Sequence, residues 1–394
     1  MSPISPLPAI AALCIATLPA ALLARKFGTS APHRRFAPLD GLRGLLAFLV
    51  FLHHACIWYF YLRLGNWGRP PSILYTQFGQ ASVALFFMIT ALLFWNKLID
   101  AEGRAIDWLR LFVSRLLRLA PLYLLAVGLL LIGVAIRSRG MLNESPFELA
   151  AHVGAWLLFT LPGEPDVNRI LDTRLLIAGV NWSLPYEWLF YGVLPLCALG
   201  FGLRPSWRVI ALALSFCLGM FWWQPVMAKL WPFAGGIAAA HLLRLRDWSA
   251  IAVGPFGSLV AVACLGAACV LFPTVHTPAA LGLLALFFFF VAAGNSLFGV
   301  LVHPVFRLLG DIGYSVYLLH GLLLYVTFEW VLGHERAARL SETGHWLVVL
   351  GCVPVLIVLS YVSFRTVELP AMQRVDRLTA WCRTVQQRAR QSLR

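Results

Sequence analysis

The sequence is poor in charge. Of its 394 residues only 12% are Asp, Glu, Lys or Arg, about half the share of a soluble domain, while 60% are hydrophobic. A string of soluble domains is therefore excluded before any motif is read. Lysine is almost missing: Lys26, Lys97 and Lys229 are the only three among 31 basic residues. The net charge of +14 does not indicate nucleic acid, because the arginines sit in short segments between apolar blocks and near the C-terminal end, where membrane proteins keep their topology charges. There is no CxxC pair and no Cys/His cluster with zinc spacing among the eight cysteines. Six of these (Cys56, Cys197, Cys217, Cys264, Cys269 and Cys352) lie within apolar blocks, where cysteine behaves as a small hydrophobe. Neither a disulfide framework nor a metal site is expected. The sequence also lacks a Gly-rich phosphate loop, HExxH and GxSxG, so nucleotide-loop, zincin and hydrolase-elbow chemistries have no support.

What is present is a series of apolar blocks at about 39–61, 78–98, 116–136, 183–203, 208–228, 231–243, 251–272, 279–301, 310–332 and 346–366. Most are long enough to cross a hydrocarbon core about 30 Å thick. The expected fold is an all-α, polytopic transmembrane helical bundle of about ten main spans. Residues 149–162 are apolar but too few to span comfortably. Residues 7–24, containing Pro8 and Pro19 and followed by Arg25 and Lys26, form an extra anchor, an interfacial helix or an uncleaved signal-like segment, with a helix on or in the membrane favoured.

Charge counting orients the bundle. If 149–162 does not cross, 20 basic residues fall on one side, from Arg25, Lys26, Arg34 and Arg35 to the six arginines beginning at Arg374, and nine on the other. If it does cross, the bias largely vanishes. The positive-inside rule thus puts the segment before the first block and the basic C-terminal segment in the cytoplasm, and 137–181 outside as the largest external loop.

Ionisable groups at membrane depth are costly and suggest function. Arg43 and His54 are eleven residues apart, nearly three turns, so they share a helix face about 16 Å apart along the axis, whereas His53 points about a quarter-turn away. A snorkelling role for Arg43 and an interhelical hydrogen bond for His54 are the structural alternatives. In Asn181-Trp182-Ser183-Leu184-Pro185-Tyr186-Glu187, Glu187 lies about one turn below the outer surface, near the depth of His54. A carboxylate there can hold an imidazole tautomer and stabilise its protonated form. Tyr314, Ser315, Tyr317 and His320 line a later block. Ser315 and His320 do not share a face, which argues against a serine–histidine nucleophile, and interhelical hydrogen bonding is an equally good account of them. Arg115 and Arg118, three apart, present two guanidinium groups suited to phosphate, although in isolation ordinary positive-inside charge explains them better.

Taken together, these segments resemble the acyltransferase-3 family of bacterial inner-membrane acyltransferases. The matching pieces are Leu39-Asp40-Gly41-Leu42-Arg43-Gly44 through His54, the family's Arg-x10-His pattern; Phe86-Phe87; Arg115-x-x-Arg118 with Pro121 and Tyr123; Trp182-Ser183-Leu184 with Glu187, Phe190-Tyr191 and Pro195; Gly310 through Tyr314-Ser315-x-Tyr317-Leu318 to His320; and Glu368-x-Pro370. They run in order from about residue 36 to 371. Two departures stand out: Thr90-Ala91-Leu92 replaces the family's Ser-Gly-Phe, and Trp188 replaces the second of its paired glutamates.

The resemblance implies an acyltransferase-3-like transmembrane domain over 36–371, preceded by an apolar and basic segment (1–35) and followed by a basic cytoplasmic tail (372–394), in a multi-pass protein of the bacterial inner membrane. It implies transfer of an acyl group, most often acetyl, from cytoplasmic acyl-CoA to a hydroxyl of a glycan, glycolipid or related acceptor, with no permanently bound cofactor. His54, Glu187 and Arg43 are the expected catalytic residues. Arg115, Arg118 and Arg43 are expected to hold the donor, because coenzyme A is polyanionic. Asp40, Trp182, Ser183, Tyr191, Ser315, Tyr317, His320 and Glu368 are further candidates. Expected partners are acyl-CoA, a glycan or lipid-linked acceptor and membrane lipids, with no nucleic acid. A secondary transporter also buries His, Glu and Arg, but no inverted repeat is detected; a purely structural envelope protein leaves the buried charges unexplained.

Overall fold

The computed structural model describes residues 2–28, 37–101, 104–222 and 226–392. Arg34, Arg35 and Arg394, counted above among the inner charges, lie outside the described residues. Among the described residues the regular structure is helical, without strands. Every apolar block read from the sequence carries a helix: α2 (Ala37–Leu64), α3 (Ile73–Ile99), α4 (Trp108–Arg137), α6 (Leu184–Gly200), α7 (Trp207–Trp222), α8 (Trp231–Leu245), α9 (Pro255–Leu271), α10 (Pro278–Ala292), the pair α11 (Pro304–Asp311) and α12 (Gly313–Tyr325), and α13 (Glu342–Ser363). α1 is Leu7–Phe27, and α5 and α14 are Pro146–Leu157 and Val375–Ser392.

By length and composition five helical segments can cross a bilayer, or six if α11 and α12, bent by 69°, count as one broken span. The blocks at 183–203, 208–228, 231–243, 251–272 and 279–301 carry helices of only 15–17 residues, about 22–26 Å long at 1.5 Å per residue. The chain is a multi-pass membrane protein, and length alone supports five or six spans rather than ten. The apolar stretch around 149–162 forms α5, a 12-residue helix opened by a Ser145–Glu148 capping box. It is too short to cross, as expected.

Contacts divide the chain into two compact units, Met1–Asn96 with Arg174–Glu187 and Pro225–Ser360, and Lys97–Thr173 with Trp188–Gln224 and Tyr361–Arg394. In the first unit α2 is the central element, packed on α11 and α12. The packing is backbone on backbone. A Cβ on Gly41 would lie 1.9 Å from the carbonyl oxygen of Leu301, one on Gly44 2.4 Å from the Gly310 amide nitrogen, and one on Gly310 2.0 Å from the carbonyl oxygen of Asp40. Only residues without a side chain permit this approach, so two distant glycine-bearing motifs are locked against each other.

α1 packs on the first unit. It is 21 residues long and apolar enough to span, and it seats a stripe of buried alanines, Ala9, Ala12, Ala16 and Ala20, in the unit, in contact with α11. The residues before it are tied to helix starts: Tyr75 donates its hydroxyl to the Ser5 carbonyl (2.8 Å) and Trp346 its indole N–H to the Pro3 carbonyl (3.2 Å).

In the second unit α14 packs on the start of α4. Asp107 caps α4 through the amide of Arg110 (3.1 Å) and also accepts from Arg383, while Asp376 accepts from Arg110 (2.8 Å). Residues 137–173 fold around Glu144, which accepts from the Asn168 amide (2.8 Å) and from His152 (3.1 Å).

Candidate active site

The first unit brings His54 of α2 and His320 of α12 together, with Nε2 of His320 3.0 Å from Nδ1 of His54. Each ring also uses Nδ1 toward the carbonyl one helical turn earlier, His54 toward Val50 (3.1 Å) and His320 toward Val316 (3.0 Å). A carbonyl only accepts, so both Nδ1 atoms carry the proton. The Nδ1–H of His54 is then shared between Val50 and the lone pair on Nε2 of His320. The lone pair of His54 consequently lies on its own Nε2, which has no hydrogen-bond partner among the described residues. A neutral imidazole with a fixed tautomer and an unshared lone pair is the form a general base requires.

The surroundings of the pair are aromatic. His320 is fully buried and His54 nearly so. The ring of Trp67 lies parallel to that of His54, with 6.1 Å between centroids and 13° between planes. His53 is placed differently: its Nδ1 donates to the Tyr75 carbonyl (2.7 Å), and Gly79 packs so closely on it that a Cβ there would lie 2.5 Å from the ring. Its role is to join α2 to α3.

Glu187 does not bond His54. It is half-buried, within electrostatic reach of Tyr317. Rotation about each helix axis decides which side chains meet, and it gives His54 the imidazole of His320. Tyr317 clasps the Trp182–Ser183 turn to α12: its hydroxyl donates to the Val180 carbonyl (2.7 Å) and lies 2.9 Å from the Ser183 hydroxyl. One residue after His320, Gly321 meets the Ile177 backbone so closely that a Cβ would lie 2.3 Å away. Trp182 packs edge-on against Phe87 and lies beneath the Lys229 ammonium at 4.2 Å. Ser315 is fully buried on α12. At the start of α2, Arg43 pairs with Asp40 at 3.1 Å.

The second unit holds the arginine pair. Arg118 forms an ion pair with Glu368, Nη1 to Oε2 2.9 Å, and the carboxylate is fully buried; the Met372 sulfur is 3.3 Å from the same nitrogen. Arg118 thus neutralises a buried charge, and the Glu368-x-Pro370 motif is its counterpart. Arg115 contacts the Ser114 hydroxyl at 3.3 Å. Tyr191 is buried with its ring edge-on to Trp188, which occupies the position of the family's second glutamate.

Sequence reasoning missed two relationships. His320 was read without its partner, although its hydrogen-bonding ring in an apolar block was a signal. Trp67 carried none, since it sits in a short Gly- and Pro-rich loop among residues common in any turn.

The fold is that of a multi-pass helical membrane protein whose first unit holds a buried pair of imidazoles. The acyltransferase-3 family model, an acyltransferase domain, matches residues 36–365; the chain belongs to this family and is an O-acyltransferase. No curated protein and no solved structure matches the chain.

Proposed function

We propose that the enzyme transfers an acyl group, acetyl in the simplest case, from cytoplasmic acyl-CoA to a hydroxyl of a glycan, glycolipid or related acceptor in the bacterial inner membrane. The observation that carries this reading is the tautomer of His54: Nδ1–H is engaged by Val50 and His320, and Nε2 is left with its lone pair. In the proposed step Nε2 takes the proton of the acceptor hydroxyl as that oxygen bonds to the thioester carbonyl carbon. The carbon–sulfur bond then breaks, and the proton passes from the imidazolium to the departing thiolate, leaving an ester and free coenzyme A. His320 orients the base, the role first assigned to Glu187. Glu187 supports this arrangement indirectly, beside the Tyr317 clasp.

Donor phosphates need cations that remain charged in an apolar setting, which favours arginine. Arg43 is the donor ligand proposed for the first unit. Arg115 and Arg118 carry that proposal in the second, Arg118 sharing its guanidinium with Glu368. The test is transfer of labelled acetyl from acetyl-CoA into the glycan and glycolipid fraction of membrane vesicles made with and without the enzyme. Thioester-dependent labelling is expected; vesicles that move a solute but transfer no label would favour a transporter.

A further inference from the structure

Trp67 lies in the loop joining α2 to α3, and the loop turns back on the helix it has just left. Gly65, whose amide closes the last turn of α2 onto the Tyr61 carbonyl (2.8 Å), takes a left-handed conformation with φ of 68°. That conformation favours glycine and reverses the chain. Trp67 is thereby laid along α2, edge-on to Trp58 (5.4 Å) and Tyr61 (5.3 Å), with its ring parallel to that of His54 and offset from it at 6.1 Å between centroids. Trp58 is fully buried beneath it, so the position of the indole is fixed from below.

The groups facing His54 are accounted for: Val50 and His53 on its own helix, His320 on α12, and Trp67 from the loop. None of these is an anion, and among the described residues no carboxylate bonds His54. If His54 is the base, it becomes a cation during each turnover, and something must stabilise that charge. A flat cation stacked on an indole is attracted by the electron density of the ring face, and tryptophan is the strongest such partner. Resting on the assignment of His54 as base, we infer that Trp67 stabilises the imidazolium formed on His54 during transfer, acting through its ring face as a positioning and charge-stabilising residue. A loop outside the helix thus contributes what a carboxylate supplies in a serine–histidine–aspartate triad.

The test replaces Trp67 alone, by nonsense suppression, with 5-fluoro-, 5,7-difluoro- and 5,6,7-trifluorotryptophan. These keep the shape of the ring while draining its face of electron density. Membrane vesicles carrying each form are given radiolabelled acetyl-CoA, and label entering the glycan and glycolipid fraction is followed at saturating donor. The rate per enzyme is expected to fall stepwise with fluorine number, reaching about tenfold for the trifluoro form, with the KM for acetyl-CoA unchanged. Trp67→Phe should retain more activity than Trp67→Leu. A flat fluorination series in active vesicles overturns the inference and leaves the base assignment standing. Equal labelling by the unaltered enzyme and by His54→Ala overturns the base assignment, and the inference with it.

Discussion

Nε2 of His320 receives the Nδ1–H of His54 across 3.0 Å, joining two residues 266 positions apart in the chain. The pair distinguishes His54 from its neighbour. His54→Ala should lower the transfer rate by about 10²–10⁴, the usual worth of a general base. His53→Ala should keep most activity while lowering thermal stability, because it removes the bond to Tyr75 and opens a void against Gly79. Measured initial rates and melting in detergent check both; a dead His53→Ala beside an active His54→Ala would move the site to the other imidazole.

His320→Phe removes the acceptor for His54 Nδ1–H but keeps an aromatic ring. The expected effect is a loss of about tenfold to a hundredfold in kcat, below that of deleting the base. KM for acyl-CoA should hold. Glu187→Gln should cost less than His320→Phe, since Glu187 has no bond to His54; the reverse order would restore the carboxylate as the orienting group.

Arg118, about a quarter exposed, pairs with the fully buried carboxylate of Glu368, and that carboxylate is costly to leave alone. Arg118→Ala strands the carboxylate and should destabilise the protein by about 3–5 kcal/mol, whereas Arg118→Met with Glu368→Leu should recover most of that loss. Thermal unfolding of the purified single and double variants reads this directly. The donor role is tested more cleanly at Arg115. If it contacts a donor phosphate, Arg115→Ala should raise KM for acyl-CoA by about tenfold or more, the worth of one charge-assisted hydrogen bond. Unchanged donor kinetics would return Arg115 to a topology charge.

Gly44 and Gly310 test the helix crossing. Gly44→Ala places a methyl carbon 2.4 Å from the Gly310 amide nitrogen, and backbone rather than a flexible side chain must yield. A loss of about 1–3 kcal/mol is expected, read as a lower melting temperature. At Gly28, where nothing lies within 4 Å of an added Cβ, the left-handed φ of 75° supplies a different penalty, so Gly128→Ala is the better control: it is helical, and no atom lies within 4 Å of the new carbon.

The charge count also makes a checkable statement. Reporters fused after residue 165 and after residue 380 should lie on opposite sides of the membrane. Finding both on one side would overturn the ten-span topology.

The class of the protein was legible from composition alone, because an apolar block long enough for a bilayer has few other uses, and each block read from the sequence became a helix. The shortness of the helix after Ser145 was legible too, since span length follows from rise per residue. Period also separated His54 from His53, for a helical face depends only on spacing. Tertiary structure decided the rest. A helical period places a side chain on a face but does not say which helix meets that face, so it could not choose between Glu187 and His320 as the partner of His54. Nor could it show that Arg118 neutralises Glu368, 250 residues away. The glycine crossing of Gly44 and Gly310 and the return of Trp67 over His54 depend on distances between backbones far apart in the chain. Spacing along one helix is a local property; the pairing of faces is set only when the helices pack.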